Sequence, residues 1–147
     1  MPEARRTIII NTPPEVLYSV ITDYEQYPQF LKEVERIDIL NTTETPNGRV
    51  VRARYTVRVV KSIQYVIDLT EDKYNSVRWK LVESSIMRSN VGGWTLKDLG
   101  DGRTEATYGL EAVPKGLFVP KKIISMLTDT TLPSTLQSFK KRAESLV

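Results

Sequence analysis

The side chains that could carry chemistry in this 147-residue chain are limited, because the sequence contains neither histidine nor cysteine. Their absence excludes Ser-His-Asp and Cys-His triads, disulfides, the usual imidazole base and most transition-metal sites. Carboxylates, tyrosines, lysines and arginines remain. We therefore expect no metal or other cofactor, and no hydrolytic, redox or transfer chemistry unless one of these groups points into an enclosed site.

Two polar residues, Arg88 and Asn90, are candidates for such a position. Counting back by twos from Trp94 places both on the inward face of a strand, unless Gly92 and Gly93 form a bulge that reverses the register. An inward Arg88 would cost several kcal/mol unless a carboxylate, backbone oxygens or a ligand's polar head met it. The alternative is an outward Arg88 whose aliphatic stem covers apolar surface.

Aromatic residues recur on the same inward faces. Tyr55, Tyr65, Trp79, Trp94 and Tyr108 would form rigid walls whose polar tips could satisfy the oxygen atoms of a ligand. The alternative is an ordinary core, because inward aromatic residues usually only fill space.

The strands that would carry these residues extend from Val34 to Ala112. Over this range the apolar residues have a period of two and turn residues recur, which predicts an antiparallel meander. Arg52, Arg54 and Arg58 fall on the outward face of one strand, as do most strand carboxylates (Asp68, Glu83, Glu105 and Glu111). The predicted inward residues are Val51, Ala53, Tyr55, Val57 and Val59, then Ile63, Tyr65, Ile67 and Leu69, then Val77, Trp79 and Leu81, and finally Ala106, Tyr108 and Leu110.

Helical patterns flank the meander. After a first strand from Glu3 to Asn11, Thr12 is expected to cap a helix with Pro13 at its first position. Pro28 then restarts the chain as a second short helix that presents Tyr27, Phe30 and Leu31 to one side. The C-terminal pattern from about Leu117 contains two apolar stripes on nearly opposite sides, which predicts a bend near Pro133. The later stripe is Leu132, Leu136, Phe139, Ala143 and Leu146.

This order of elements resembles the helix-grip arrangement of the START superfamily (SRPBCC, birch-pollen-allergen-like). "YPQFL" at 27–31 and "GGWTL" at 92–96 look like two patches of its polyketide cyclase/dehydrase family, in particular the coenzyme Q-binding START-domain branch. That branch includes the bacterial ribosome-association toxin. The resemblance implies a single α+β domain over residues 1–147. In it, a bent seven-stranded antiparallel sheet would surround the C-terminal helix and leave a hydrophobic cavity.

The resulting hypothesis is binding or transport of a hydrophobic small molecule, such as an isoprenoid quinone, a lipid or a polyketide. An aromatase/cyclase acting on a polyketide is the alternative, and a ribosome- or RNA-contacting module is a further one. Tyr27, Phe30 and Leu31 are expected to form the cavity entrance. The predicted ligand-binding residues are Tyr27, Phe30, Leu31, Tyr55, Val57, Tyr65, Ile67, Trp79, Leu81, Arg88, Asn90, Trp94, Tyr108, Leu110, Phe118, Ile124 and Leu127.

Charge and hydropathy indicate the surroundings of the chain. The formal net charge is +3, from 21 basic and 18 acidic residues that are mixed along the sequence. The N-terminal apolar run is too short for a signal peptide, and no stretch approaches the ~20 apolar residues that span a bilayer. We expect a cytoplasmic protein. Lys115, Lys121 and Lys122, which flank Phe118, could permit transient contact with a membrane surface.

Overall fold

Seven antiparallel strands form one sheet in the computed structural model, which describes residues 3–58, 62–115 and 132–147. The strand order is β1-β7-β6-β5-β4-β3-β2, so β2 to β7 form a meander and β1 closes against β7. The predicted fold class is confirmed. The strands are β1 (Glu3–Ile10), β2 (Val34–Thr45), β3 (Gly48–Arg58), β4 (Ser62–Asp72), β5 (Ser76–Ser84), β6 (Met87–Asp98) and β7 (Thr104–Pro114).

Two short helices follow β1, as predicted. Helix α1 (Pro14–Ile21) is followed by a 3-10 helix (Tyr24–Gln29) that contains Pro28. The expected cap was wrong by one position: Pro13 is the N-cap residue in an extended conformation, and Pro14 takes the first turn. Because Pro13 already holds extended geometry, the turn begins one residue later and the Thr12 hydroxyl does not cap it.

The C-terminal helix α2 (Leu132–Glu144) packs on this framework through Leu136, Phe139 and Ala143, which are buried. Leu146 lies beyond the end of the helix and is exposed, so its predicted place in the buried stripe was wrong. Residues 116–131 lie outside the described part of the chain, so the bend near Pro133 stays a prediction.

The inward faces follow the predicted alternation over most of the sheet. Val51, Ala53, Tyr55 and Val57 on β3 are all buried, as are Ile63, Ile67 and Leu69 on β4. Such alternation is expected because successive side chains of a strand point to opposite faces. The sheet therefore has one apolar face, and helix α2 and the 3-10 helix supply core residues opposite it.

The bulge in β6 lies elsewhere than at the glycine pair. Gly92 and Gly93 pair regularly with β7, and the register shift falls between Met87 and Ser89. Asn90 is buried as predicted, but Arg88 is exposed, so its inward alternative was wrong. The irregularity breaks the count by twos between Asn90 and Arg88.

Within the described ranges, no helix combines the length and the apolar character needed to cross a membrane.

Candidate functional site

A cavity of about 140 Å³ lies between the apolar face of the sheet and the helical residues opposite it. The 3-10 helix contributes Tyr27, helix α2 contributes Phe139, and strands β3 to β7 supply most of the wall. The lining residues are Ile21, Tyr27, Leu31, Glu33, Val34, Tyr55, Val57, Arg58, Tyr65, Ile67, Leu69, Val77, Trp79, Asn90, Trp94, Tyr108, Leu110, Thr135 and Phe139.

Aromatic rings in mutual contact form much of this wall. Phe139 meets Trp94 edge-on at a centroid distance of 5.0 Å and Tyr27 at 5.2 Å. Tyr108 lies 5.0 Å from Trp94 and 5.4 Å from Trp79. Edge-on and tilted pairs at these distances are favourable and restrict ring rotation. The cavity is therefore bounded by rigid π faces and edges, which suit a flat ligand.

Gly92 allows one of these rings to pack against the sheet. A β-carbon at Gly92 would lie 2.6 Å from the Trp79 ring and 2.4 Å from the Gly109 carbonyl oxygen. Both separations are far below van der Waals contact. Any larger residue at Gly92 would push Trp79 from its position in the cavity wall.

The Asn90 side chain is a buried polar group of the cavity wall and is 5% exposed. The Trp79 indole N–H donates to Asn90 Oδ1 at 3.1 Å. Asn90 Nδ2 makes a weak contact with Met87 Sδ at 3.6 Å. Because an indole N–H can only donate, the oxygen of the amide must face Trp79. The amide therefore has a fixed orientation with its N–H groups on the other side.

A second polar group lies at the more exposed end of the cavity. Thr135 donates from Oγ1 to Glu33 Oε1 at 3.2 Å, and the Arg58 backbone N–H donates to the Glu33 carbonyl oxygen at 2.7 Å. Glu33 and Thr135 are half-buried, and Arg58 is exposed. We call these three residues the polar rim. The rim brings a carboxylate to a cavity whose remaining wall is mostly apolar.

The cavity tyrosines are neutral hydroxyl groups at physiological pH. Burial raises the pKa of Tyr55, Tyr65 and Tyr108 above the ordinary value of 10.0, and the nearby Glu33 carboxylate raises the pKa of Tyr65 and Tyr108 further. An un-ionised phenol can donate or accept a hydrogen bond, but it is a poor general base. These side chains are therefore suited to meeting oxygen atoms of a ligand.

A buried ion pair anchors the 3-10 helix outside the cavity lining. Arg49 donates to both carboxylate oxygens of Glu71, at 2.8 and 3.0 Å, and the Tyr24 hydroxyl donates to Glu71 Oε2 at 2.7 Å. Glu71 is only 3% exposed. Tyr24 lies in edge contact with Tyr27, which lines the cavity. These hydrogen bonds therefore fix a residue that packs directly against the cavity wall.

Most of the described residues predicted to bind a ligand lie on the cavity wall. They are Tyr27, Leu31, Tyr55, Val57, Tyr65, Ile67, Trp79, Asn90, Trp94, Tyr108 and Leu110. Phe30 and Leu81 instead pack against the core from outside the lining, and Arg88 is exposed. Phe118, Ile124 and Leu127 lie outside the described residues, as do Val59, Lys121 and Lys122.

The stretch containing Tyr27, Phe30 and Leu31 combines features of wall and entrance. The Tyr27 hydroxyl donates to the Ile21 carbonyl oxygen, and Tyr27 and Leu31 are buried in the lining. Phe30 is half-buried, between Phe139 and the Arg142 guanidinium. The stretch is thus partly fixed core. An entrance role stays a prediction for Phe30, because the residues expected opposite it are not described.

The sequence analysis predicted neither Glu33, which lines the cavity, nor Glu71, which forms the buried ion pair with Arg49. For Glu71 a signal was present: the alternation that places Val51 and Leu69 inward also places Arg49 and Glu71 inward, on the same pair of strands. For Glu33 no period existed, because it lies at the junction between the 3-10 helix and β2. The other lining residues that were missed are Ile21, Val34, Arg58, Leu69, Val77, Thr135 and Phe139.

The outward arginines of β3 are only partly available to a partner. Arg52 donates to Asp68 through two nitrogen atoms, at 2.8 and 3.0 Å, on the outer face of the sheet. The guanidinium holds the pKa of Asp68 below its ordinary value. This pairing weakens the hypothesis that the row binds RNA phosphates.

Comparison with known proteins agrees with this architecture. The family model described as "Polyketide cyclase / dehydrase and lipid transport" matches residues 10–140, so the chain belongs to that family. This description indicates binding of a hydrophobic ligand, for polyketide cyclisation or for lipid transport. None of the curated proteins matches the chain.

Three solved structures illustrate the shared fold. A START-superfamily protein from Mycobacterium smegmatis is 22% identical, with a TM-score of 0.84 over 100% of both chains. An aromatase/cyclase from a Streptomyces species is 16% identical, with a TM-score of 0.80 over 97% of this chain and 93% of the other. A STAR-related lipid transfer protein from Xanthomonas axonopodis is 20% identical, with a TM-score of 0.77 over 97% and 85%. At these identities the likeness shows the fold alone.

Proposed function

We propose that the chain binds a flat, predominantly apolar small molecule in the aromatic cavity, and that the ring of an isoprenoid quinone is the class of ligand that suits it best. The observation that carries the proposal is the convergence of Trp79, Trp94, Tyr108 and Phe139 on one cavity. Apolar walls with a few fixed polar groups are typical of small-molecule sites. Asn90 and the polar rim supply such groups.

The cavity volume limits what can be enclosed. Its 140 Å³ is close to the ~150 Å³ of an engineered protein cavity that holds benzene. A ring of the size of benzene therefore fits without rearrangement, whereas bulky substituents, a long tail or a multi-ring polyketide would have to extend beyond the described lining. This size favours a ring head group whose tail lies outside.

Titration with duroquinone, a benzoquinone without a tail, tests the proposal. The two tryptophans of the chain, Trp79 and Trp94, both line the cavity, so their fluorescence reports binding there. Trp79 also borders a second groove that includes Val91, so variants in each location are needed to assign the signal. Binding should quench the fluorescence saturably. Val57→Phe adds a ring inside the cavity and should abolish quenching, whereas Val91→Phe makes the same change at an exposed position and should not.

Mass spectrometry of a solvent extract from the purified protein identifies the natural ligand class. A co-purified quinone or other apolar ring compound would support the proposal. Unsaturable quenching that is the same in wild type, Val57→Phe and Val91→Phe would overturn it.

An aromatase/cyclase is the second candidate, because one carboxylate, Glu33, lines the cavity beside neutral tyrosines. A carboxylate in an apolar site can take a proton from an acidic carbon between two carbonyl groups. Conversion of a linear poly-β-ketone to an aromatic product, lost in Glu33→Gln while the quinone still binds, would establish this activity.

A further inference from the structure

The two polar ends of the cavity differ in hydrogen-bonding character. Asn90 lies at the buried end, and its amide oxygen already accepts the Trp79 N–H at 3.1 Å. What the amide can still offer is an N–H, because its contact with Met87 Sδ at 3.6 Å is weak and uses at most one of the two. The buried end is therefore a donor that suits a carbonyl or ether oxygen.

The rim end has the opposite character. Glu33 carries a carboxylate, and an ionised carboxylate accepts hydrogen bonds but cannot donate them. Its Oε1 accepts from Thr135 at 3.2 Å, and no other side-chain donor reaches the carboxylate among the described residues. A carboxylate has about four lone-pair positions, and the side chains of the described residues fill one of them.

We infer that the cavity selects a ring compound by its polarity: an acceptor oxygen at the inner end, facing Asn90, and a hydroxyl group at the rim end, donated to Glu33. The inference rests on the proposed function, since it concerns the same cavity. It names the ligand class as para-hydroxylated aryl ketones and hydroquinones. Among quinone ring compounds, the reduced hydroquinone should bind more tightly than the quinone, which has no hydroxyl group for Glu33.

Trp79 has a specific role in this selection. An unrestrained Asn amide could rotate to present either its oxygen or its nitrogen, and would then accept either kind of ligand. The donor-only indole removes that freedom. Trp79→Phe should therefore reduce the discrimination at the inner end even where the ring still binds.

Isothermal titration of the purified chain with four compounds of similar size tests the inference. Para-hydroxyacetophenone has both groups, acetophenone lacks the hydroxyl, para-ethylphenol lacks the carbonyl and ethylbenzene lacks both. We expect para-hydroxyacetophenone to bind about tenfold more tightly than acetophenone, because its hydroxyl group adds one hydrogen bond to a charged carboxylate. It should also bind several-fold more tightly than para-ethylphenol.

Variants assign each preference to its residue. Glu33→Leu should remove the preference for the hydroxyl and leave the preference for the carbonyl. Glu35→Leu is the matched control, because Glu35 is an exposed carboxylate two residues away whose side chain accepts from Ser62 outside the lining. It should leave both preferences unchanged.

The outcomes separate this inference from the proposed function. If all four compounds bind with equal affinity, the cavity binds rings but the polarity inference is wrong. If none binds while duroquinone still quenches the fluorescence saturably, the polarity inference is wrong and the proposed function stands. If duroquinone fails as well, both proposals are wrong. A hydroxyl preference that survives Glu33→Leu would also overturn the role of Glu33, and the wild-type comparison decides the inference even where a variant fails to fold.

Discussion

Replacing Arg49 by methionine should destabilise the protein far more than the same change at Arg52. The two arginines lie on β3, and each donates through two nitrogen atoms to a carboxylate on β4, at 2.8 and 3.0 Å. The pairs differ in burial. The side chain of Glu71 is 2% exposed, whereas that of Asp68 is 17% exposed.

The magnitude follows from what each carboxylate loses. Breaking a buried ion pair by removing one partner costs ~3 to 5 kcal/mol, because the remaining charge is buried and uncompensated. Arg49 itself is 36% exposed, so water can partly replace it, and we expect a loss of about 2 to 3 kcal/mol for Arg49→Met. Asp68 keeps contact with solvent, so Arg52→Met should cause only the small loss typical of surface pairs.

Urea denaturation at neutral pH measures both losses, and a double-mutant cycle identifies the cause. Glu71→Gln removes the buried charge, so Arg49→Met combined with Glu71→Gln should be more stable than the sum of the single changes predicts. Equal losses for Arg49→Met and Arg52→Met would refute the reasoning. Additive losses in the cycle would do the same.

Three further predictions concern the cavity wall. Gly92→Ala should lower both stability and duroquinone affinity, because its β-carbon would lie 2.6 Å from the Trp79 ring. Gly109→Ala is the control: no atom of the described residues lies within 4 Å of the added carbon, so stability in urea melts and affinity in titrations should stay unchanged. Phe30→Ala should weaken ring binding while costing less than the ~3 to 5 kcal/mol of a buried Phe, because Phe30 is half-buried; unchanged affinity with a full core-sized loss in urea melts would show that Phe30 only packs. Burial raises the pKa of the cavity tyrosines above 10.0. Above pH 10 the unfolded chain therefore releases phenol protons that the folded state keeps. The free energy of unfolding should be fully retained below pH 10 and should fall as the pH rises above it. In a Tyr74→Phe variant, which lacks the exposed tyrosine, tyrosinate absorbance should then appear mainly together with unfolding. Full tyrosinate absorbance reached before unfolding would contradict this.

The inner face of the sheet could be predicted from sequence because a strand has a fixed period. Val51, Tyr55 and Ile67 are buried where alternation places them. The rule of alternation failed at Arg88, because the bulge between Met87 and Ser89 is a backbone feature that the residue types there do not predict.

The polar part of the site was harder to predict, for physical reasons that differ between residues. Asn90 follows the period and was found. Glu33 lies between the 3-10 helix and β2, and this position brings it next to Thr135 of helix α2. The contact joins distant parts of the sequence. No periodic pattern reports a junction of that kind.

Nuclear Overhauser effects between bound duroquinone and the protein test the central claim most directly, because they locate the ring. The account predicts contacts from the methyl protons of the quinone to the Trp79 and Trp94 indoles and to Phe139, and their loss in Val57→Phe. A second groove on the outer side of the sheet, lined by Arg78, Val91 and Gly93 among others, provides the contrasting location. Contacts to Val91 without contacts to Trp94 or Phe139 would contradict binding in the cavity.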